Sequence, residues 1–224
     1  MKTPKKEKCF IADNPQPRLV PAYPYLLGAY LGDGSITKTP GHYQFRLAVI
    51  DQDFAENVAR AIEVIKGKKP VIRNLPPVGY GKKDRFQVEA YGKQFLNRLR
   101  EETQNKQSLP NMSGWDKQDK LAFIAGLMDS EGYVSRGVRK NGGIQYQTGF
   151  TTCDIWLNHF INLLKSLGVK VGKAQNKLGN PKHPLKRPAT EHRFNSKSFI
   201  ESGCYFTIER KQSRLNDYTL APYY

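Results

Sequence analysis

The chain repeats itself, and the repetition constrains its architecture more than any single motif does. Leu26 to Gly34 (LLGAYLGDG) has a partner 98 residues on, in Ile124 to Gly132 (IAGLMDSEG). QFRLAVIDQDF, from Gln44, matches QYQTGFTTCDI, from Gln145, and aligns Asp53 with Asp154 at an offset of 101. GKQFL, from Gly92, matches SKSFI, from Ser196, at an offset of 104, and NKQSLPN matches RKQSRLN, aligning Lys106 with Lys211 at 105. The matches keep their order while the offset drifts slowly, as it does when loops lengthen between copies. The chain therefore reads as a tandem duplication.

Each copy has the same pattern. An apolar helical segment (about 23–33, and 117–131) leads into an extended run and a turn, Pro40-Gly41 or Asn141-Gly142-Gly143, followed by an alternating strand. Asp53 and Asp154 stand where they would cap a second helix. Its apolar positions include Phe54, Val58, Ile62 and Ile65, or Ile155, Phe160, Leu163 and Leu167, and Gly67 or Gly168 closes it. Two more strands follow (about 70–75 and 84–90; 170–176 and 190–195), then a short helix from Gly92 or Ser196. Each unit is αββαββα and the class is α+β. The expected divisions are a flexible basic arm over 1–20, a first half over 21–112 and a second over 113–224.

Glycine in mid-helix costs stability and calls for a packing reason. Gly28 and Gly32 share one face of the first motif helix, and Gly126 and Ser130 share one face of the second. Small residues at that spacing let two helix backbones approach closely. Asp33 and Glu131 stand at the ends of these helices, each followed by a glycine. A carboxylate there faces the negative end of the helix macrodipole, an unfavourable place without a cation. One such acid reads as the opening of a turn. Two of them, brought together by a helix pair, read as an oxygen-rich site suited to Mg²⁺.

Lysine and arginine number 36 against 20 acids, a formal net charge of +16. A field of that sign attracts polyanions, of which nucleic acid is the commonest in cells. Arg136, Arg139 and Lys140 fall in a glycine-rich stretch, and Lys177, Lys182, Lys186, Arg187 and Arg193 in a proline-rich one. These stretches read as hairpins or strand ends that suit tracking along phosphates. Hydrophobic residues at 38% are enough for a packed core and too many for a disordered basic tail. No apolar run approaches the roughly 18 residues of a membrane span, and MKTPKKEKCF lacks the apolar stretch of a secretory signal. Three scattered cysteines (Cys9, Cys153, Cys204) make neither a disulfide framework nor a zinc spacing.

The two repeated segments resemble the signature of the LAGLIDADG homing endonucleases in their single-chain, two-motif form. IAGLMDSEG follows it closely; LLGAYLGDG does so more loosely, with Leu31 where the family often has an acid. The resemblance spans about residues 23–216. It implies a pseudo-two-fold fold with the motif helices paired at the interface and antiparallel sheets forming a DNA-binding saddle. It also implies that Asp33 and Glu131 hold catalytic Mg²⁺, or another divalent cation such as Mn²⁺, beside the backbone carbonyls of Gly32 and Ser130. Lys106 and Lys211, in matching KQS contexts, would assist catalysis. Asp51 and Thr152, at the ends of second strands, would organise water. The implied reaction is hydrolysis of both strands of a long, roughly palindromic double-stranded DNA target by a monomer, leaving short 3′ overhangs. Alternating strand residues Gln44, Arg46, Gln87, Glu89, Gln145, Gln147, Arg193 and Asn195 are then the candidates to reach base edges.

Two other readings share this fold. The family includes RNA maturases, which makes intron RNA a second partner. A DNA-binding regulator that lost catalysis is the other, and the presence of both acids speaks against it. The expected place of action is inside the cell, in the compartment that holds the target genome: an organelle, or an archaeal or bacterial cytoplasm.

Overall fold

The computed structural model describes residues 8–13, 17–77, 82–138, 142, 144–152, 154–177 and 188–220. Arg139, Lys140, Lys182 and Arg187, expected to contact DNA, lie outside these residues, as does the side chain of Gln145.

Within the arm expected over 1–20, the described residues form a hairpin, while 1–7 and 14–16 lie outside the described residues. β1 (Cys9–Ala12) pairs antiparallel with β2 (Arg18–Pro21). The reason is alternation: Phe10, Ala12 and Val20 turn inward and are buried, while Ile11 and Leu19 face out. Phe10 meets the Tyr25 ring edge-on at 5.1 Å. Arg60 ties the hairpin down by donating to the Ile11 carbonyl at 3.0 Å and pairing with Asp13.

The two copies then follow the expected order. The first is α1 (Ala22–Leu31), β3 (Ser35–Thr39), β4 (His42–Val49), α2 (Gln52–Lys66), β5 (Val71–Leu75), β6 (Arg85–Tyr91) and α3 (Lys93–Glu102). The second is α4 (Lys117–Glu131), β7 (Gly132–Val138), β8 (Ile144–Thr152), α5 (Leu157–Ser166), β9 (Gln175–Lys177), β10 (Ala189–Phe194) and α6 (Ser196–Glu201). The four-stranded antiparallel sheets have equivalent orders, β3-β4-β6-β5 and β7-β8-β10-β9.

α1 and α4 pack on each other along the middle of the molecule. α1 is apolar on every side, with Leu26, Leu27, Tyr30 and Leu31 all buried, as a helix enclosed by neighbours must be. α2 and α5 carry one apolar stripe each and cover one face of their sheets; Phe54, Val58 and Ile62 pack with Phe45, Leu47 and Val88, and Trp156 and Phe160 with Phe150.

Several boundaries differ from expectation. Asp51, not Asp53, precedes α2, and Trp156, not Asp154, precedes α5. Asp53 instead accepts from the Phe54 N–H at 2.9 Å and the Glu209 N–H at 2.6 Å, so it joins the starts of two helices. The strand expected over 170–176 is reduced to a bridge at Val171 and three residues of β9, with no strand pairing assigned over 172–174, where Gly172 has no side chain to pack and its N–H donates to the Arg193 carbonyl at 2.7 Å. A further helix, α7 (Glu209–Leu220), runs beside β7 and β8. Gly67, at φ +70°, ends α2 in the left-handed conformation that glycine adopts freely. No helix among the described residues is long and apolar enough to cross a membrane.

Candidate active site and nucleic-acid face

The seam between α1 and α4 is made of backbone against backbone. A Cβ on Gly28 would stand 2.2 Å from the Phe123 carbonyl oxygen, and one on Gly126 would stand 2.1 Å from that of Tyr25. Gly32 touches Ser130 in the same way, at 2.2 Å between a hypothetical Cβ and the serine's own. The glycines expected to let the helices approach therefore do so, and the approach carries Asp33 and Glu131 to one end of the seam.

Glu131 senses Asp33 across the seam. Burial, then Asp33 and Asp154, push the Glu131 carboxyl up to about 7, against Lys106 and Lys211. Asp33 is also raised, by burial first, with Asp51 adding and both lysines opposing. The site thus holds four carboxylates and two lysines within electrostatic reach, drawn from both copies. Asp154 is a member that the repeat alignment hid, because it paired this residue with the helix-joining Asp53.

Each lysine grips its own motif helix. Lys106 Nζ donates to the carbonyls of Gly32 at 2.6 Å and Gly34 at 3.1 Å. Lys211 Nζ reaches deeper, to Met128 O at 3.1 Å and Asp129 O. A cation at the C-terminal end of a helix answers the orphan carbonyls and the dipole there. Burial lowers both lysines from the usual range. Lys106 comes from a left-handed turn, with Gln104, Asn105 and Lys106 at φ +45°, +56° and +71°. Such a turn of L-residues costs on the order of 1 kcal/mol per residue. Bonds from Asn105 N to Arg100 O (2.6 Å) and from Gln107 N to Thr103 O (3.0 Å) hold it in place.

Lys211 is drawn inward by Asp129, a buried acid that the sequence reading did not single out. Its carboxylate accepts from Tyr25 Oη (3.0 Å), the Thr207 N–H (3.0 Å) and Thr207 Oγ1 (2.5 Å), while Asn57 Nδ2 donates to Thr207 Oγ1 at 3.0 Å. Burial pushes Asp129 up to about 6, against Lys211 and these donors. The matching position in the first copy is Leu31. The two lysines are therefore anchored in different ways.

The residues expected to organise water are engaged. Asp51 takes a two-pronged contact from Arg210, Nε to Oδ1 at 2.5 Å and Nη2 to Oδ2 at 2.7 Å. Thr152 Oγ1 donates to Asp154 Oδ2 at 2.5 Å. Among the described residues, no three His, Cys, Asp or Glu side chains gather closely enough to hold a metal ion. A cation here would have Asp33 and Glu131 as side-chain ligands and must complete its shell with carbonyl, phosphate or water oxygens. That donor set suits Mg²⁺, which keeps several waters and binds through one or two carboxylates plus substrate phosphate.

Cross-strand register sorts the other candidates. Ser35, Gln44, Arg46, Gln87, Glu89 and Arg73 share the face of the first sheet opposite Phe45 and Leu47. Gln147, Lys177 and Arg193 share the corresponding face of the second, with Tyr133 and Glu191. Arg136 lies on the other face, in line with Val134. Asn195 lies past the end of β10 and caps α6, accepting from the Ser198 N–H at 2.9 Å. Gln44, Glu89 and Glu191 are buried on these polar faces, whereas the arginines are about half exposed.

The architecture matches solved structures. A mesophilic variant of the homing endonuclease I-DmoI superposes with a TM-score of 0.51 at 18% identity, over 84% of this chain and 95% of that one. I-WcaI, a homing endonuclease bound to its DNA recognition sequence, gives 0.53 at 13% identity, over 85% of each. A structure of I-DmoI in complex with DNA and Mn gives 0.50 at 17%, over 80% and 92%. The fold is that of the LAGLIDADG homing endonucleases.

No protein-family model matches the sequence. Among curated proteins, an uncharacterized protein of Methanocaldococcus jannaschii is 33% identical over 132 residues, 56% of this chain and 42% of that protein. A second from the same organism is 28% identical over 146 residues, 65% and 54%. The chain spans about half the length of these relatives. Within the LAGLIDADG fold, the motif helices are the seam described above.

Proposed function

We propose that this chain is a divalent-metal-dependent, site-specific DNA endonuclease that hydrolyses both strands of a long, roughly palindromic target and leaves short 3′ overhangs. The observation that carries the reading is the pairing of Asp33 and Glu131 at the end of a two-fold-like helix seam, with a lysine from each copy beside them and a polar, basic sheet face on either side. The LAGLIDADG neighbours that hold DNA and Mn support it.

Asp33 and Glu131 would hold the cations, with the carbonyls of Gly32 and Ser130 beside them. A bound Mg²⁺ or Mn²⁺ neutralises charge at the attacked phosphate and acidifies water. Lys106 and Lys211 place positive charge at the helix ends, where a scissile phosphate would sit, and fix the backbone that carries the acids. Asp51 and Thr152, held by Arg210 and Asp154, would orient water at the two edges of the site. Gln44, Arg46, Gln87, Gln147, Lys177 and Arg193 would meet DNA from the sheet faces.

One observation favours a second reading, a regulator that binds DNA without cutting. Both lysines already serve helix-end carbonyls, a duty that needs no catalysis. Cleavage of a large randomised duplex library with Mg²⁺ or with EDTA, sequencing every new end, separates the two. Mg²⁺-dependent ends sharing one long motif are the expected result; selection of a long motif by binding, without ends, would establish the regulator. Asp33→Asn and Glu131→Gln should each abolish cleavage, lowering the rate at least about a thousandfold, and leave target binding in a gel-shift assay within a few-fold of wild type.

A further inference from the structure

A chain of net charge +16 that meets a polyanion has little use for carboxylates in the contact face, yet one is buried in each sheet. Glu89, on β6, faces Arg46 Nε at 3.8 Å and Arg73 Nη2 at 3.4 Å. It also accepts from Gln87 Nε2 at 2.6 Å and from Tyr91 Oη at 3.3 Å, and Gln44 donates to that tyrosine oxygen at 2.9 Å. Glu191, on β10, accepts from Arg193 Nε at 2.8 Å and Tyr133 Oη at 2.8 Å and pairs with Lys177. Gln147 donates to the Tyr133 oxygen at 2.9 Å. Both clusters hold one acid, two cations, a tyrosine and glutamine.

The likeness is not inherited from the duplication. Counted from Gly92 and Ser196, which precede and open the short helices, Glu89 corresponds to Arg193, and Gln87 to Glu191. The acid sits one side-chain repeat away in the second sheet, and its tyrosine comes from β7 rather than from the acid's own strand. Room is made for that tyrosine at Gly149, where a Cβ would stand 2.4 Å from Tyr133 Oη. The two sheets reach the same set of side chains by different positions.

Each carboxylate is almost wholly covered, with side-chain exposures of 5% and 2%, but Arg46, Arg73, Lys177 and Arg193 remain between 48% and 59% exposed. The acids cannot reach a base edge; the cations above them can. Removing a positive side chain's freedom before binding lowers the cost of ordering it on the DNA. Burial raises the Glu191 carboxyl, yet hydrogen bonds from Lys177, Arg193 and Tyr133 outweigh it and hold the group down at about 2, so it stays charged.

We propose that Glu89 and Glu191 are positioning residues for sequence recognition, each fixing two cations and a glutamine–tyrosine pair in the orientation that reads the target. The proposal rests on the DNA-binding reading above and goes beyond it by assigning discrimination, not attraction, to two acids. It makes an unusual demand. Glu89→Gln and Glu191→Gln each remove a negative charge from the contact face, so binding to scrambled duplex should tighten by about two- to fivefold. Preference for the target over scrambled duplex should fall by about tenfold.

The test is selection of bound duplexes from a randomised pool in Ca²⁺, followed by fluorescence titration of the selected and scrambled sequences. Arg73→Ala and Lys177→Ala, at half-exposed positions, are measured alongside. Loss of preference at the same base pairs in Glu89→Gln and Arg73→Ala, with no further loss when the two are combined, is expected, and likewise for Glu191→Gln with Lys177→Ala. If the glutamine variants keep the wild-type preference, or weaken target and scrambled duplex equally, the acids are structural and the proposal falls. If they do not fold, losses in Arg73→Ala and Lys177→Ala that are uniform across sequence overturn it equally. A wild-type protein that selects no motif overturns the DNA-endonuclease reading itself.

Discussion

The Glu131 carboxyl sits among neighbours that favour its protonated form. Its pKa, raised by burial and by Asp33 and Asp154, means that the folded chain binds a proton more tightly than the unfolded chain does. In EDTA, stability should therefore fall as pH rises from the unfolded value near 4.5 to about 7, then level off. Glu131→Gln should make that slope shallower in thermal unfolding, leaving the part that the raised Asp33 and Asp129 carboxyls contribute, and saturating Mg²⁺ should reduce it by displacing the proton. Asp129 makes the opposite kind of demand. Its carboxylate is already satisfied by Thr207 and Tyr25, so Asp129→Ala strands three buried donors, Tyr25 Oη, the Thr207 N–H and Thr207 Oγ1. Urea unfolding should register a loss of about 3 kcal/mol. The sequence showed Asp33 and Glu131 because an acid followed by glycine at the end of a repeated helix is a local pattern. It did not show Asp129 because the groups that define it, Tyr25, Asn57 and Thr207, come from three other segments.

At the scale of elements, the seam allows no compromise. The atoms that a Cβ on Gly28 or Gly126 would strike belong to backbone, which cannot rotate aside. Gly28→Ala or Gly126→Ala should cost at least about 3 kcal/mol, the upper range for overpacking, measured by denaturant unfolding, and cleavage should fall with it because both acids hang from this seam. Gly41→Ala has no such collision to cause and differs only in its left-handed backbone. These helices and sheets were legible because their demands are written in periodicity and small residues. α7 was not, since its polar run ERKQSRLNDYTL has Leu215 as its buried apolar residue among those described. The Lys106 turn was not legible either, as it takes left-handed backbone without glycine. The N-terminal hairpin was obscured by the lysines around it, though Phe10, Ala12 and Val20 carry its alternation.

Across the whole molecule, under the proposed function, the charge would set how firmly DNA is held and the sheets which DNA is held. A surface of +16 that contacts six to ten phosphates should lose about 10³-fold or more in affinity between 50 and 200 mM salt. Titrations at several salt concentrations check this, and a slope below about two released ions would contradict the proposed interface. The lysine anchors divide the halves more subtly. Lys106 bonds carbonyls at Gly32 and Gly34, whereas Lys211 bonds those at Met128 and Asp129, so the two copies no longer support the acids identically.

The glycine seam has a consequence for how such a protein diverges. Two copies of an ancestral unit can drift independently wherever side chains separate them, because a substitution in one sheet leaves the other untouched. At Gly28 and Gly126 each backbone is the other's packing surface, and no sequence of small steps leads away from that contact. A protein engineer who joins this first half to a foreign second half inherits the same rule: the sheets travel freely as cassettes, but the joint accepts only a partner that also presents bare backbone.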